Sequence, residues 1–157
     1  MSAVEDRLAE LGLTVPEVTP PLAAYLPAVR HGDLVFTSGQ LPMVDGVLSV
    51  TGKVGEGEGL VDPETAKKAA ERCAVNAIAA VKALVGDLDT VTRVVKVVGF
   101  VASDPSFTGQ PGVINGASEL LGKAFGDAGI HARSAVGVAV LPMDTPVEVE
   151  ITVAVSA

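Results

Sequence analysis

An arginine, two carboxylates and a run of small residues stand close together near the C-terminus. Ala132-Arg133-Ser134-Ala135-Val136-Gly137-Val138-Ala139-Val140-Leu141-Pro142 leads into Pro146-Val147-Glu148-Val149-Glu150-Ile151. Arginine is the side chain best suited to hold a carboxylate by two parallel hydrogen bonds. A carboxylate on the same sheet face could handle a water or a proton. Charge placed inside the final strands of so small a chain points to a ligand.

The two apolar runs flank a Pro-rich turn, which predicts a hairpin. With Val140 opposite Val147, Ala139 faces Glu148, Gly137 faces Glu150, and Arg133 lies opposite Ala154. Alternation then puts Arg133, Ala135, Gly137, Ala139, Glu148, Glu150 and Thr152 on one face. Val136, Val138, Val140, Val147, Val149, Ile151 and Val153 form the other, which is expected under the helices. The small residues of the polar face admit a close neighbour, most simply another subunit. In this register Arg133 and Glu148 are about six residues apart, roughly 20 Å at strand rise. One small ligand touching both would need them from different chains. A composite site at a subunit interface and an inactive isolated monomer are therefore expected.

The elements that must position these residues follow from periodicity. Residues 3–11 place Val4, Leu8 and Leu11 at helical spacing before Gly12. Residues 14–23, with Pro16, Pro20 and Pro21, must be extended or looped. Tyr25–Arg30 and Leu34–Gln40 flank His31-Gly32-Asp33 and predict a hairpin. Residues 42–61 are glycine-rich, with one short strand expected near Val47–Val50. A phosphate loop is excluded there by the missing Gly-Lys-Ser/Thr ending and by acidic residues, which leaves a mobile surface loop. Asp62-Pro63 opens the best helix, with Ala66, Ala70, Cys73, Ala77, Val81 and Leu84 as its apolar stripe and Gly86 as its end. Cys73 in that stripe reads as a core residue. Val91–Ala102 is a long β-branched strand, expected to be central. Pro111 starts a second helix, with Val113, Ala117, Leu120, Leu121, Ala124 and Phe125 inward and Gly129 beyond it. No internal repeat is present. Two helices on one face of a mixed sheet make an α+β domain. A single domain over 1–157 is expected, with 1–19 as a helical and extended appendage.

Composition sets the outer bounds. At 157 residues one core can bury roughly two-thirds of the unfolded surface. With one Tyr, four Phe and no Trp, that core must be aliphatic. The net charge of −8 and the lack of any basic run disfavour nucleic-acid and anionic-membrane binding. Cys73 is the single cysteine, so no intrachain disulfide can form. No apolar run suits a signal peptide or a membrane span, so a cytoplasmic location is expected. His31 reads as a turn residue, and His131, close to Arg133 and a candidate acid–base group, reads rather as a loop residue. They have no partners at metal-ligand spacing, and no metal is expected.

The chain resembles the YjgF/RidA family, also labelled endoribonuclease L-PSP. The resemblance rests on Thr37-Ser38-Gly39-Gln40-Leu41-Pro42, Asn76, Asn115, Ala132-Arg133-Ser134, the Leu141-Pro142 turn and Glu148-Val149-Glu150. Order and spacing agree from about residue 20 to the end. It looks closest to a longer branch with an N-terminal extension, a Gly-Lys-Val-Gly insertion and the stretch Asn115-Gly116-Ala117-Ser118-Glu119-Leu120-Leu121. The resemblance implies a chorismate-mutase-like fold, a homotrimer with sheets packed around its axis, and ligand clefts between subunits. It also implies hydrolysis of reactive enamines and imines, such as 2-aminoacrylate, to a 2-keto acid and ammonia without a metal or organic cofactor.

On that resemblance Arg133 clamps the substrate carboxylate, against the plainer reading of a structural ion pair. Glu148 holds the attacking water or passes a proton, against a plain interface carboxylate. Tyr25 occupies the position of a cleft tyrosine, with packing as the alternative. Gly39, beside Ser38, lets backbone approach a ligand and offers an N–H. Asn115 either contacts the cleft or braces a helix. Ala135 stands where archetypal members carry a cysteine; its carbonyl could still hold a water, but thiol chemistry is lost. Gly137 replaces a frequent acidic residue, and the loop at 46–61 could reshape or cap the cleft. The enzyme reading competes with a non-catalytic sensor of small carboxylates such as 2-keto acids. The family label also suggests an endoribonuclease or translation inhibitor, which the acidic balance opposes. Chorismate mutase activity would rest on fold likeness alone.

Overall fold

The computed structural model of the chain describes residues 1–18 and 24–157. Helix α1 (Ala3–Glu10) starts in a capping box: Glu5 N–H donates to the Ser2 hydroxyl at 3.2 Å, and Ser2 N–H donates to the Glu5 carboxylate at 3.0 Å. Val4 and Leu8 are buried, while Leu11 of the expected stripe is exposed. Arg7 donates to the Ala124 carbonyl at 2.9 Å, and Lys82 pairs with Glu5, so the appendage docks on its own chain. Residues 13–18 carry no regular structure, as Pro16 requires. Positions 19–23, with Pro20 and Pro21, lie outside the described residues.

Strands β1 (Ala28–His31) and β2 (Leu34–Thr37) form the expected hairpin, shorter at the outer ends than the apolar runs suggest. Gly32, at φ +61°, supplies its turn. A second, small hairpin joins β3 (Met43–Val44) to β4 (Val47–Leu48), where a single strand was expected. Asp45 and Gly46 both have positive φ, the two-residue turn for which Asp-Gly is the sequence signal.

Helix α2 (Pro63–Val85) begins with Asp62 accepting from Thr65 N–H at 3.0 Å and ends at Gly86. Its stripe from Ala66 to Val81 is buried, and Leu84 is exposed. Strand β5 (Val91–Ala102) and helix α3 (Gln110–Phe125) follow, the helix burying every apolar residue expected of it. Then come β6 (Ala132–Val138) and β7 (Val147–Val155). The sheet order is β1-β2-β7-β5-β6, and both long helices cover one face.

β6 and β7 are not a hairpin. β5 lies between them, parallel to β6 and antiparallel to β7. Helix α3 is the crossover that a parallel pair requires, and the Ala139–Pro146 connection steps across the end of β5. The faces change with the register. Arg133, Ala135 and Gly137 align with Val97, Gly99 and Val101, which meet Ile151, Val149 and Val147 on the helix side. Val136, exposed at 45%, aligns with Phe100 and Glu148 on the open side. The valine face of β7 is under the helices as expected; that of β6 is not.

The glycine-rich loop is not free. Val54 is fully buried, its N–H donates to Ala102 O at 2.7 Å, and its carbonyl accepts from Asp104 N–H at 2.9 Å. Gly52 N–H donates to Asp144 O at 2.8 Å, beside a Lys53–Asp144 ion pair of the same length. The glycines allow the chain to fold back onto the core rather than to move away from it. Among the described residues, no helix is long and apolar enough to cross a membrane.

Candidate functional site

The expected site residues fall into two clusters on opposite faces of the sheet. The first surrounds a cavity of about 460 Å³ lined by Tyr25, Ser38, Gly39, Gln40, Met143 and Glu148, among others. Glu148 points into it because its neighbours Val147 and Val149 are fully buried under the helices. Burial and the adjacent Glu150 charge raise its carboxyl above the usual range. Gly39 leaves room for this carboxylate in its present position. A Cβ at position 39 would lie 2.8 Å from Glu148 Cδ. Backbone therefore approaches Glu148 there, and the Gly39 N–H has no acceptor among the described residues. Ser38 donates its hydroxyl proton to Leu26 O at 2.6 Å and its N–H to Pro27 O at 2.8 Å. It thus ties down the segment that presents Tyr25, which is 59% exposed at the cavity.

Three contributors to this cavity were not expected as site residues, although Gln40 and Asn76 are among those that carry the family resemblance. Gln40 exchanges backbone hydrogen bonds with Val149 at 2.8 and 3.0 Å, which extends β2 past its formal end. Asn76, on α2, donates to Leu41 O at 2.8 Å and Met43 O at 3.0 Å and so shapes the wall. Met143 holds φ +57° in the turn after Pro142, and this uncommon conformation for a side-chain residue sets the rim.

The second cluster is built on β6, the sheet edge, against α3. Arg133 Nη1 donates to Asn115 Oδ1 at 2.8 Å and Ser118 Oγ at 3.2 Å, and Nη2 donates to Pro111 O at 3.3 Å. Asn115 therefore braces the arginine. A guanidinium has five N–H donors. After these three bonds, Nε–H and one Nη2 hydrogen have no acceptor among the described residues. Together those groups can grip a carboxylate through two bonds. Arg133 makes no ion pair with Glu148 or Glu150 in its own chain. Ala135 lies next along the same face, opposite Gly99.

His131 accepts the Ser118 hydroxyl proton or donates to it at Nε2, 2.9 Å away, and donates from Nδ1 to Gly129 O at 2.6 Å. Asn115 and Ser118 are three apart on one helix, a spacing that puts both on one face. That spacing was a readable signal for Ser118.

The expected separation of Arg133 and Glu148 needs revision. Val97 and Phe100 mark their positions along β5, so standard strand spacing and rise give roughly 14 Å between their Cα atoms. What keeps them apart is the sheet itself, because the two side chains leave from opposite faces. One small ligand cannot reach both within one chain. Among the described residues no group of His, Cys, Asp and Glu could hold a metal ion. Cys73 is buried, and desolvation pushes its thiol up, which makes it inert.

Known proteins resemble this chain in sequence and fold. Protein TCP17 of Trypanosoma cruzi is 42% identical over 148 residues, covering 94% of this chain and 91% of the relative. The Agrobacterium tumefaciens protein Atu1372 is 48% identical with a TM-score of 0.90, over 98% of this chain and 94% of that one. The structure of E. coli TdcF with bound serine is 26% identical with a TM-score of 0.60, over 88% and 92%. The family described as "YjgF/chorismate mutase-like, putative endoribonuclease" matches residues 5–153, and the chain belongs to that family.

Proposed function

We propose that this protein is a hydrolytic deaminase of reactive enamines and imines of the 2-aminoacrylate type, releasing a 2-keto acid and ammonia. The observation that carries the reading is the division of the site. An arginine with two unpaired N–H groups lies on one face of the sheet, and a carboxyl of raised pKa lines a cavity on the other. A homotrimer that brings Arg133 of one subunit to the Glu148 cavity of the next would complete the site. The open sheet face, with Phe36, Phe100 and Val136 uncovered or partly covered, supports such an assembly. The bound serine of TdcF supports a small 2-amino-acid skeleton as the ligand class.

In this reading Arg133 holds the carboxylate and so places the imine carbon. Glu148 takes a proton from water as the water oxygen bonds to that carbon. The C=N π pair moves to nitrogen, which is protonated. The carbinolamine then breaks its C–N bond, ammonia leaves with the electron pair and a further proton, and the hydroxyl loses its proton as C=O forms. An enamine first gains a proton at its terminal carbon and loses one from nitrogen. A carboxyl raised above the usual range is better matched to such transfers near neutral pH. The Gly39 N–H and the Tyr25 hydroxyl, both on residues lining the cavity, would then orient water or the developing oxyanion.

The test is keto-acid and ammonia release from enzymatically generated 2-aminoacrylate. Wild type is expected to accelerate it; Arg133→Ala and Glu148→Gln are each expected to lose about 100-fold or more in kcat/KM. Glu148→Gln that still binds 2-oxobutanoate separates catalysis from mere sensing. Clean wild type that binds 2-oxobutanoate without accelerating release would favour the sensor and sink the deaminase reading. The endoribonuclease in the family's description is opposed by the charge of −8.

A further inference from the structure

Beyond the clamp itself, the hydrogen bonds around Arg133 form a directed chain. Gly129 O can only accept, so Nδ1 of His131 carries its proton and donates over 2.6 Å. In the neutral ring Nε2 is then an acceptor, and its partner at 2.9 Å is the Ser118 hydroxyl. With its proton committed to His131, Ser118 Oγ turns its lone pairs towards Arg133 Nη1, which donates over 3.2 Å. Asn115 takes the other Nη1 hydrogen. Nη1 is thereby saturated by protein, and the guanidinium plane is set by two acceptors on one face of α3.

We infer that His131 and Ser118 are positioning residues for the Arg133 clamp: the imidazole orients the Ser118 hydroxyl, and that hydroxyl fixes the guanidinium so that Nε and Nη2 face the ligand. The inference rests on the carboxylate-binding role of Arg133. His131 is thus neither an acid–base group nor an idle loop residue. The alternative, in which His131 merely closes the turn after α3, uses only the Gly129 bond and leaves Arg133 indifferent to it. Without Ser118, one Nη1 hydrogen loses its acceptor and the side chain can rotate away, which weakens carboxylate binding more than the chemistry that follows.

The experiment compares wild type with Arg133→Ala, Ser118→Ala, His131→Ala, His131→Gln and the Ser118→Ala/His131→Ala double variant. The readouts are 2-oxobutanoate titration, KM and kcat for imine hydrolysis, and the guanidinium ¹⁵N resonances of Arg133. Ser118→Ala and His131→Ala are each expected to weaken binding and raise KM about tenfold, with kcat within about threefold of wild type. The double variant should be no worse than either single one, since both cut the same chain. His131→Gln, whose carboxamide oxygen can accept from Ser118, should recover most of the loss. The Arg133 Nη signals should be distinct in wild type and averaged by rotation in Ser118→Ala. If Arg133→Ala abolishes binding while Ser118→Ala and His131→Ala leave binding and the guanidinium signals unchanged, the positioning role is overturned and the clamp stands. If Arg133→Ala has no effect on binding, both fall. If no variant binds measurably, the guanidinium spectra alone decide.

Discussion

At the scale of single residues, the site shows how one side chain is shaped by what must lie beside it. A residue larger than Gly39 would displace the Glu148 carboxyl, which occupies the space a Cβ would need. Glu148 in turn is held in a partly dry cavity next to Glu150, and both factors favour its protonated form. Because its folded-state pKa lies above the unfolded one, its protonation stabilises the fold. That contribution is complete below the ordinary carboxylate range and is lost as pH rises through the raised value. At neutral pH the charge is therefore a net cost to the fold. Glu148→Gln is expected to raise the melting temperature at pH 7 while losing turnover, with the stability gain vanishing below about pH 4. Thermal unfolding across pH checks this, and an unchanged or lower melting temperature at pH 7 would contradict it. Arg133 and Glu148 themselves were readable as candidates from residue type. Ser118 was signalled only by its three-residue spacing from Asn115, and His131 not at all, because a histidine in a loop acquires meaning only through the serine that links it to the arginine.

At the scale of elements, local signals placed most of the secondary structure. Asp62-Pro63 and Gly86 bound α2, and Gly32 marks the first hairpin, because caps and turns depend on a few adjacent residues. The second hairpin was also legible in Asp45-Gly46, but the surrounding glycines obscured it. The docking of α1 was not legible at all. It depends on Asp89, which accepts from Ala3 N–H at 2.9 Å and Val4 N–H at 3.3 Å, and on Lys82, both remote in sequence. The hydrogen bond from Lys82, with those from Ser2, lowers the Glu5 carboxyl from 4.5 to about 2. A depressed acid contributes stability that is present above its unfolded pKa and lost as pH falls through the folded one. Loss of α1 docking is accordingly expected as pH drops from about 4.5 to about 2. Acid titration followed by amide exchange at Val4 and Leu8 should show it, and Glu5→Gln should flatten that acid limb. An acid limb identical in the variant would show that Glu5 does not anchor the helix.

At the scale of the whole molecule, the sheet has helices on one face and none on the other. An antiparallel sheet can leave a face to water if that face is polar. Here Phe36, Val29 and Val136 are exposed on it, with Val98 and Phe100 between them. Sedimentation equilibrium is expected to give a trimer at micromolar concentration, and activity is expected to fall on dilution as subunits separate. A stable, fully active monomer would defeat the composite site. The sequence by itself determined the α+β class, the bounds of both long helices, the aliphatic core and the candidate arginine and carboxylate. Each of these follows from composition, periodicity or a motif within a short window. Only the tertiary structure decided that β5 lies between β6 and β7. Strand pairing is a contest among distant segments, and two apolar runs beside a turn look the same whether they pair with each other or with a third strand. That single choice inverted the faces of β6, moved Arg133 under α3 and set Glu148 on the other side of the sheet. A small ligand touching both residues would still need them from different chains, now because the sheet lies between their side chains rather than because of a distance along a hairpin.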